Sequence, residues 1–258
     1  MVLLATGKKA SFRNGIANAN GETSEMVSGG NTLRVLLGAD ALGGTLSVGG
    51  VPYTIDGARS VFSAKDAESK AVAAQLLAKW RNRPYAIVAI SDGGKMDCLT
   101  VTVAAKGKVK VSGTTGNGAK ISASAQLIVG ADGRCMIPVV VAKKAKMSFG
   151  VWLEDGVATV TGIDNAVAGP TGKTIGATVD FGDLPAGYSR FPDAKTEALK
   201  LKLMAKNGAV KGSFKLSAVV NGRAKKVSVS VVGVQIGDVA YCVATVKRVA
   251  SWTMTVTP

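Results

Sequence analysis

The sequence predicts an all-β, predominantly antiparallel protein: two related barrel- or sandwich-like units with one short amphipathic helix near 64–81. Three observations carry this. Beyond Pro84, apolar and polar residues alternate with period two, as in Ile121-Ser-Ala-Ser-Ala-Gln-Leu-Ile-Val129 and Val227-Ser-Val-Ser-Val231. Strands with one wet face and one dry face need that alternation. Asn117-Gly118, Asp132-Gly133, Asn207-Gly208 and Asn221-Gly222 fall between such runs, and these residues tolerate the left-handed backbone that tight hairpins require. The chain also repeats its own pattern at an offset of about 100 residues, as duplicated units do.

Taken in order, residues 1–31 form a polar lead-in, Gly/Asn/Ser-rich from Gly7 to Asn31. Strands are expected at Leu33–Leu37, Thr45–Val48 and Val51–Ile55, with Gly49-Gly50 as the turn between the last two. A helix is expected from Ala64 to Arg81. Ser63 is placed to cap it, with Asp66 three residues on in the manner of a capping box. Ala73, Leu76, Leu77 and Trp80 recur at helical spacing and make the stripe that packs on a sheet. Asn82-Arg83-Pro84 ends it, because proline cannot continue the ladder.

The duplication is read from four matches. Leu99-Thr-Val-Thr-Val-Ala-Ala-Lys-Gly aligns with Leu199-Lys-Leu-Lys-Leu-Met-Ala-Lys-Asn-Gly, and Lys108-Val-Lys-Val-Ser-Gly with Ala209-Val-Lys-Gly-Ser-Phe. Ala119-Lys-Ile-Ser-Ala-Ser aligns with Ala224-Lys-Lys-Val-Ser-Val-Ser, and the stretch ending in Trp152 with the one holding Trp252. A Gly-rich seam at 161–174 then divides a first β unit, 32–160, from a second, 175–258.

Lys and Arg number 32 against 17 Asp and Glu, a net charge of +15 that favours anionic partners. Only nine of the 32 are Arg, the residue that reads bases bidentately, so nucleic acid is an unlikely partner. Leu199-Lys-Leu-Lys-Leu203 instead reads as a strand whose wet face carries Lys, a device that also guards edges against aggregation. The lysines are therefore expected to be dispersed over solvent-facing strands rather than gathered in a groove. A polysaccharide or other anionic surface polymer is the expected partner. Self-association is open, with Met1 to Asn31 as the candidate segment. No apolar run approaches the ~18 residues of a membrane-spanning helix.

Catalytic parts are scarce. There is no histidine, the commonest general base and metal ligand. Cys98, Cys135 and Cys242 lack metal-ligand spacing and sit in apolar surroundings, as small buried hydrophobes do. Gly169-Pro-Thr-Gly-Lys-Thr174 lacks the upstream glycine and following helix of a phosphate loop. Asp180-Phe-Gly-Asp183 and Asp92-Gly-Gly-Lys-Met-Asp97 read as turns. No enzyme activity, catalytic residue, metal or cofactor is expected. Two rival readings stay open: a polysaccharide-active enzyme with two carboxylates ~5–9.5 Å apart, and a polyanion- or nucleic-acid-binding protein. The aromatic candidates for ligand contact are Trp152, Trp252 and Tyr188, with core packing the competing role for the two tryptophans.

The run Leu99-Thr-Val-Thr-Val-Ala-Ala-Lys-Gly-Lys-Val-Lys-Val-Ser-Gly-Thr, the Ser/Ala strand after it and Cys135-Met-Ile-Pro-Val-Val resemble a Gly/Lys-rich β-repeat. Such repeats lie near the C-termini of large secreted or surface proteins of bacteria. Lys211-Gly-Ser-Phe-Lys-Leu and Ala250-Ser-Trp-Thr-Met-Thr-Val are similar to the same repeat. The resemblance covers the last two-thirds of the chain. It implies an extracellular or cell-surface, modular and non-catalytic role, in attachment, ligand display or structural assembly, as part of a longer secreted chain. Met1-Val-Leu-Leu-Ala-Thr has no basic segment of the kind that opens a signal peptide.

Overall fold

The computed structural model describes residues 2–3, 9–10, 16–38, 41–58, 61–62, 65–81, 83–91, 93–129, 135–141, 147–154, 157–172, 174–191, 193, 198–220, 223–247 and 249–258. Two short strands, β1 (Val2–Leu3) and β2 (Lys9–Ala10), pair with each other. A four-stranded antiparallel meander follows: β3 (Met26–Ser28), β4 (Asn31–Leu37), β5 (Ala41–Val48) and β6 (Val51–Ala58). The segment expected as a polar lead-in thus contains β1, β2 and β3. The Gly49-Gly50 turn forms as expected, both glycines at positive φ (57° and 86°), the requirement of a two-residue hairpin loop.

Helix α1 (Ala67–Trp80) starts later than the pattern suggests. Its cap is Asp66, whose carboxylate accepts the Ser69 N–H at 2.7 Å. Asp66 thus takes the cap position itself, while Ser63 and Ala64 lie outside the described residues. The stripe holds: Ala73, Leu76 and Leu77 are half-buried and Trp80 is 2 % exposed, its ring 5.5 Å from that of Tyr85.

The alternating strands then build two bodies. In the first, β7 (Tyr85–Ile90), β8 (Met96–Val103), β9 (Lys108–Thr114) and β10 (Lys120–Gln126) form a meander. At Leu127 the chain leaves this sheet and enters a second one as β11 (Ile128–Val129). That sheet continues through β12 (Cys135–Val141), β13 (Met147–Glu154) and β14 (Val157–Thr161). β15 (Ala166–Pro170) returns to pair with β7. The chain therefore joins the two sheets at both edges, and they enclose one core as a flattened barrel. Ile87, Leu99, Val111, Ile137, Val139 and Val151 face each other there, all at most 1 % exposed, and Trp80 packs with them. Residues 161–174, expected as a linker, thus contain a strand of the first body: its five ladder pairs with β7 hold the segment in place, and Gly169 is buried beneath Ile236.

The second body is a seven-stranded antiparallel sheet: β16 (Thr178–Asp180), β17 (Tyr188–Ser189), β18 (Lys200–Met204), β19 (Ala209–Val220), β20 (Arg223–Ile236), β21 (Val239–Val246) and β22 (Ala250–Thr257). One face buries Val210, Phe214, Leu216, Val229, Val231 and Met254, over which Phe181, Leu184 and Tyr188 fold. Strands β8 to β13 and β18 to β22 follow the same up-and-down order. They differ at one point: β20 runs unbroken for 14 residues and pairs with β21, whereas β10 and β11 split at Leu127 between two sheets.

The bodies meet outer face to outer face. Ala86, Val88, Met96 and Cys98 of β7 and β8 pack on Val234 and Val243 of β20 and β21. Hydrogen bonds also cross the contact: the Cys98 thiol to the Tyr241 carbonyl at 3.5 Å, the Ser251 hydroxyl to the Gly116 carbonyl at 2.8 Å and the Gly237 N–H to the Pro170 carbonyl at 3.3 Å.

Candidate functional site

The three aromatic candidates do not converge. Trp252 is buried in the second core, its indole N–H donating to the Phe181 carbonyl at 2.9 Å and its ring edge-on to Phe214 at 6.2 Å. Tyr188 packs, half-buried, against the same core from β17. Trp152 stands on the other body, half-buried on the outer side of β13, because Phe149, Val151 and Leu153 take the inner side. Alternation decides both tryptophans. Trp252 shares parity with Met254 and Val256, and Trp152 falls out of step with its apolar neighbours.

The cysteines are free and buried. Burial pushes the Cys242 thiol up to about 12 and raises Cys98 further, with burial again the first cause at Cys135. All three are therefore neutral thiols at pH 7, whereas the thiolate is the reactive form. Among the described residues no group of three or more His, Cys, Asp or Glu could hold a metal.

A cleft of about 440 Å³ opens at one end of the barrel, among Ser91, Lys95, Asp97, Asn117, Met147 and Asp164. Its polar groups serve the loops. Asp97 accepts the Gly116 N–H at 2.8 Å, and the Lys95 ammonium donates to the Asn117 side chain at 3.0 Å. Asp92, the other carboxylate of that motif, lies outside the described residues.

The largest concentration of like chemistry is on the outer face of β18, β19 and β20. Alternate residues of β19 put Lys211, Ser213, Lys215 and Ser217 there, opposite the buried Val210, Phe214 and Leu216. The register then adds Lys200 opposite Ser213, Lys202 opposite Lys211, Ser228 opposite Lys215 and Lys226 opposite Ser217. Five exposed lysines interleaved with serine hydroxyls thus share one face. Residues 198–237 contain eight Lys and Arg and no Asp or Glu. Lys202 and Lys211 face each other directly, a like-charge pair that costs stability unless an anion lies between. Within the face, a depression of about 400 Å³ is lined by Lys200, Ser213, Lys215, Lys226 and Ser228. The Lys215 ammonium donates to the Ser228 hydroxyl at 2.7 Å, and that of Lys226 sits 5.5 Å from the Phe191 ring centre. The lysines are on solvent-facing strands, as the sequence suggests. They are also gathered, because the register of three strands stacks them.

Sequence reasoning took each Lys strand singly and so missed the cluster. The missing signal was the acid-free stretch, legible by counting. Comparisons with protein-family models, curated proteins and solved structures find no match to this chain.

Proposed function

We propose that the chain is a non-catalytic β module of a secreted or cell-surface bacterial protein, acting in attachment by binding an acidic polysaccharide on the outer face of β18–β20. The observation that carries this is the five-lysine, serine-interleaved face on an acid-free stretch. Ammonium groups meet carboxylates or sulfates, and the serine hydroxyls between them match sugar hydroxyls. Nucleic acid fits less well. Arg223 is the only arginine on these strands, and none of their outward positions carries an aromatic ring on which a base would stack. Enzyme action is not part of the reading, since residues 198–237 hold no Asp or Glu and so no carboxylate pair of the kind that cleaves glycosidic bonds.

The test is retention on immobilised heparin and polygalacturonate across a salt gradient, for the native chain and for Lys200→Ser/Lys211→Ser/Lys215→Ser. The native chain is retained at low salt and released as salt screens the contacts. The triple variant elutes early with a melting temperature no lower than the native one, since it also removes the Lys202–Lys211 repulsion. Equal retention of the two proteins contradicts the proposal, and so does turnover of either polymer that one Asp→Asn change abolishes.

A further inference from the structure

We infer that the first body carries a second anion-binding face and that one extended acidic polysaccharide chain engages both faces at once. This rests on the function proposed above and adds to it a second site and a minimum ligand length.

The second face is the outer side of β9 and β10. Val109, Val111 and Ile121 point into the barrel, so Lys108, Lys110, Ser122 and Ser124 point out, all exposed. Lys110 stands opposite Ser124 on one side and Thr102 on the other, repeating the ammonium–hydroxyl rows of β18–β20. Residues 98–131 carry four Lys and no Asp or Glu. Acid-free outer faces thus occur on both bodies.

Their placement makes them act together. β20 crosses the outer face of the first sheet, whose strand order is β10-β9-β8-β7-β15. Ile236 lies against Gly169 of β15 and Val234 packs with Ala86 and Val88 of β7, and β20 goes on to touch β8 and β9. The Ser251 hydroxyl on the Gly116 carbonyl and Thr245 beside Gly118 hold β22 and β21 at the β9–β10 turn, so β19, on the other edge of β20, lies toward the opposite end of β9, where Lys108 and Lys110 stand. Both lysine faces flank the contact between the bodies on the same side. The buried contact of Ala86, Val88, Met96 and Cys98 with Val234 and Val243 joins the bodies that carry them. A polymer bound on one face meets the other at high effective concentration, which raises affinity by about 10²-fold or more with no new kind of contact.

The experiment compares a heparin tetrasaccharide with full-length heparin by calorimetry, on the native chain, on Lys108→Ser/Lys110→Ser and on the β18–β19 triple variant. The native chain prefers the long ligand by roughly 100-fold per site. Each variant loses most of that preference while melting no lower than the native chain and keeping weak tetrasaccharide binding on its intact face. An undiminished preference in Lys108→Ser/Lys110→Ser overturns the two-face inference, while weakened binding in the triple variant would still uphold the single face. Native heparin affinity in the triple variant overturns the underlying reading instead. Double-stranded DNA that displaces full-length heparin at equal concentration of anionic charge overturns the choice of polysaccharide as ligand.

Discussion

Trp252 on β22 and Lys215 on β19 belong to one sheet and answer to different demands. Trp252 has its ring in the core and its N–H on the Phe181 carbonyl, so replacing it by Phe leaves that carbonyl unpaired and a void beside Phe214. Urea unfolding is expected to show Trp252→Phe less stable by about 1–3 kcal/mol, with heparin retention unchanged. Loss of retention at native stability would make Trp252 a ligand contact after all. Gly113 is a second structural position, since a Cβ there would run into the backbone carbonyl of Cys98 on β8. Gly113→Ala is expected to cost about 1–3 kcal/mol, and a neutral result would contradict the close approach of β8 to β9 there. The thiols give a pH dependence. In the unfolded chain they titrate near 9.0, whereas burial keeps Cys242 neutral to about 12. A group whose folded value is raised stabilises the fold below its unfolded value and loses that contribution as pH rises toward the folded one. Stability should therefore fall between pH 9 and 12, and fall less in Cys98→Ala/Cys242→Ala. Identical slopes for the two proteins would contradict the buried, neutral thiols.

At the scale of elements, local pattern and long-range register contribute separately. The stripe Ala73, Leu76, Leu77 and Trp80 was legible because helical periodicity is local. So was the Gly49-Gly50 hairpin, whose backbone angles only glycine adopts at no cost. The start of α1 was less legible, because Ser63 and Asp66 are both good caps by residue type, and it is Asp66 that takes the position. β15 was hidden because Ala-Val-Ala-Gly-Pro carries no alternation. It is a strand only because β7 offers it an edge. Trp80 gives the test of how α1 is held. It is 2 % exposed against the barrel core, so Trp80→Ala is expected to cost about 3–5 kcal/mol by thermal or urea unfolding. Asp66→Ala, which removes one capping bond at the surface, should cost about 1 kcal/mol. Comparable losses from the two would mean that α1 is held by its cap rather than by its packing.

For the whole molecule, the same alternation that fills two cores on the inner faces leaves Lys, Ser and Thr on the outer ones. The apolar exceptions, Val234 and Val243 with Ala86 and Val88, join the bodies. The site was half legible. Lys200 and Lys202 announce a wet face in the sequence, but their company with Lys211, Lys215 and Lys226 depends on which residues stand opposite across β18, β19 and β20. That is a property of turn lengths and ladders rather than of any one strand. The most direct measurement is a titration of the isotopically labelled chain with polygalacturonate, followed by backbone amide and lysine side-chain resonances. The account predicts shifts concentrated at Lys200, Ser213, Lys215, Lys226 and Ser228, fading as salt is added. Shifts confined to the barrel-end cleft around Lys95 and Asp97 or to the surface around Trp152, or no shifts at low salt, would contradict it.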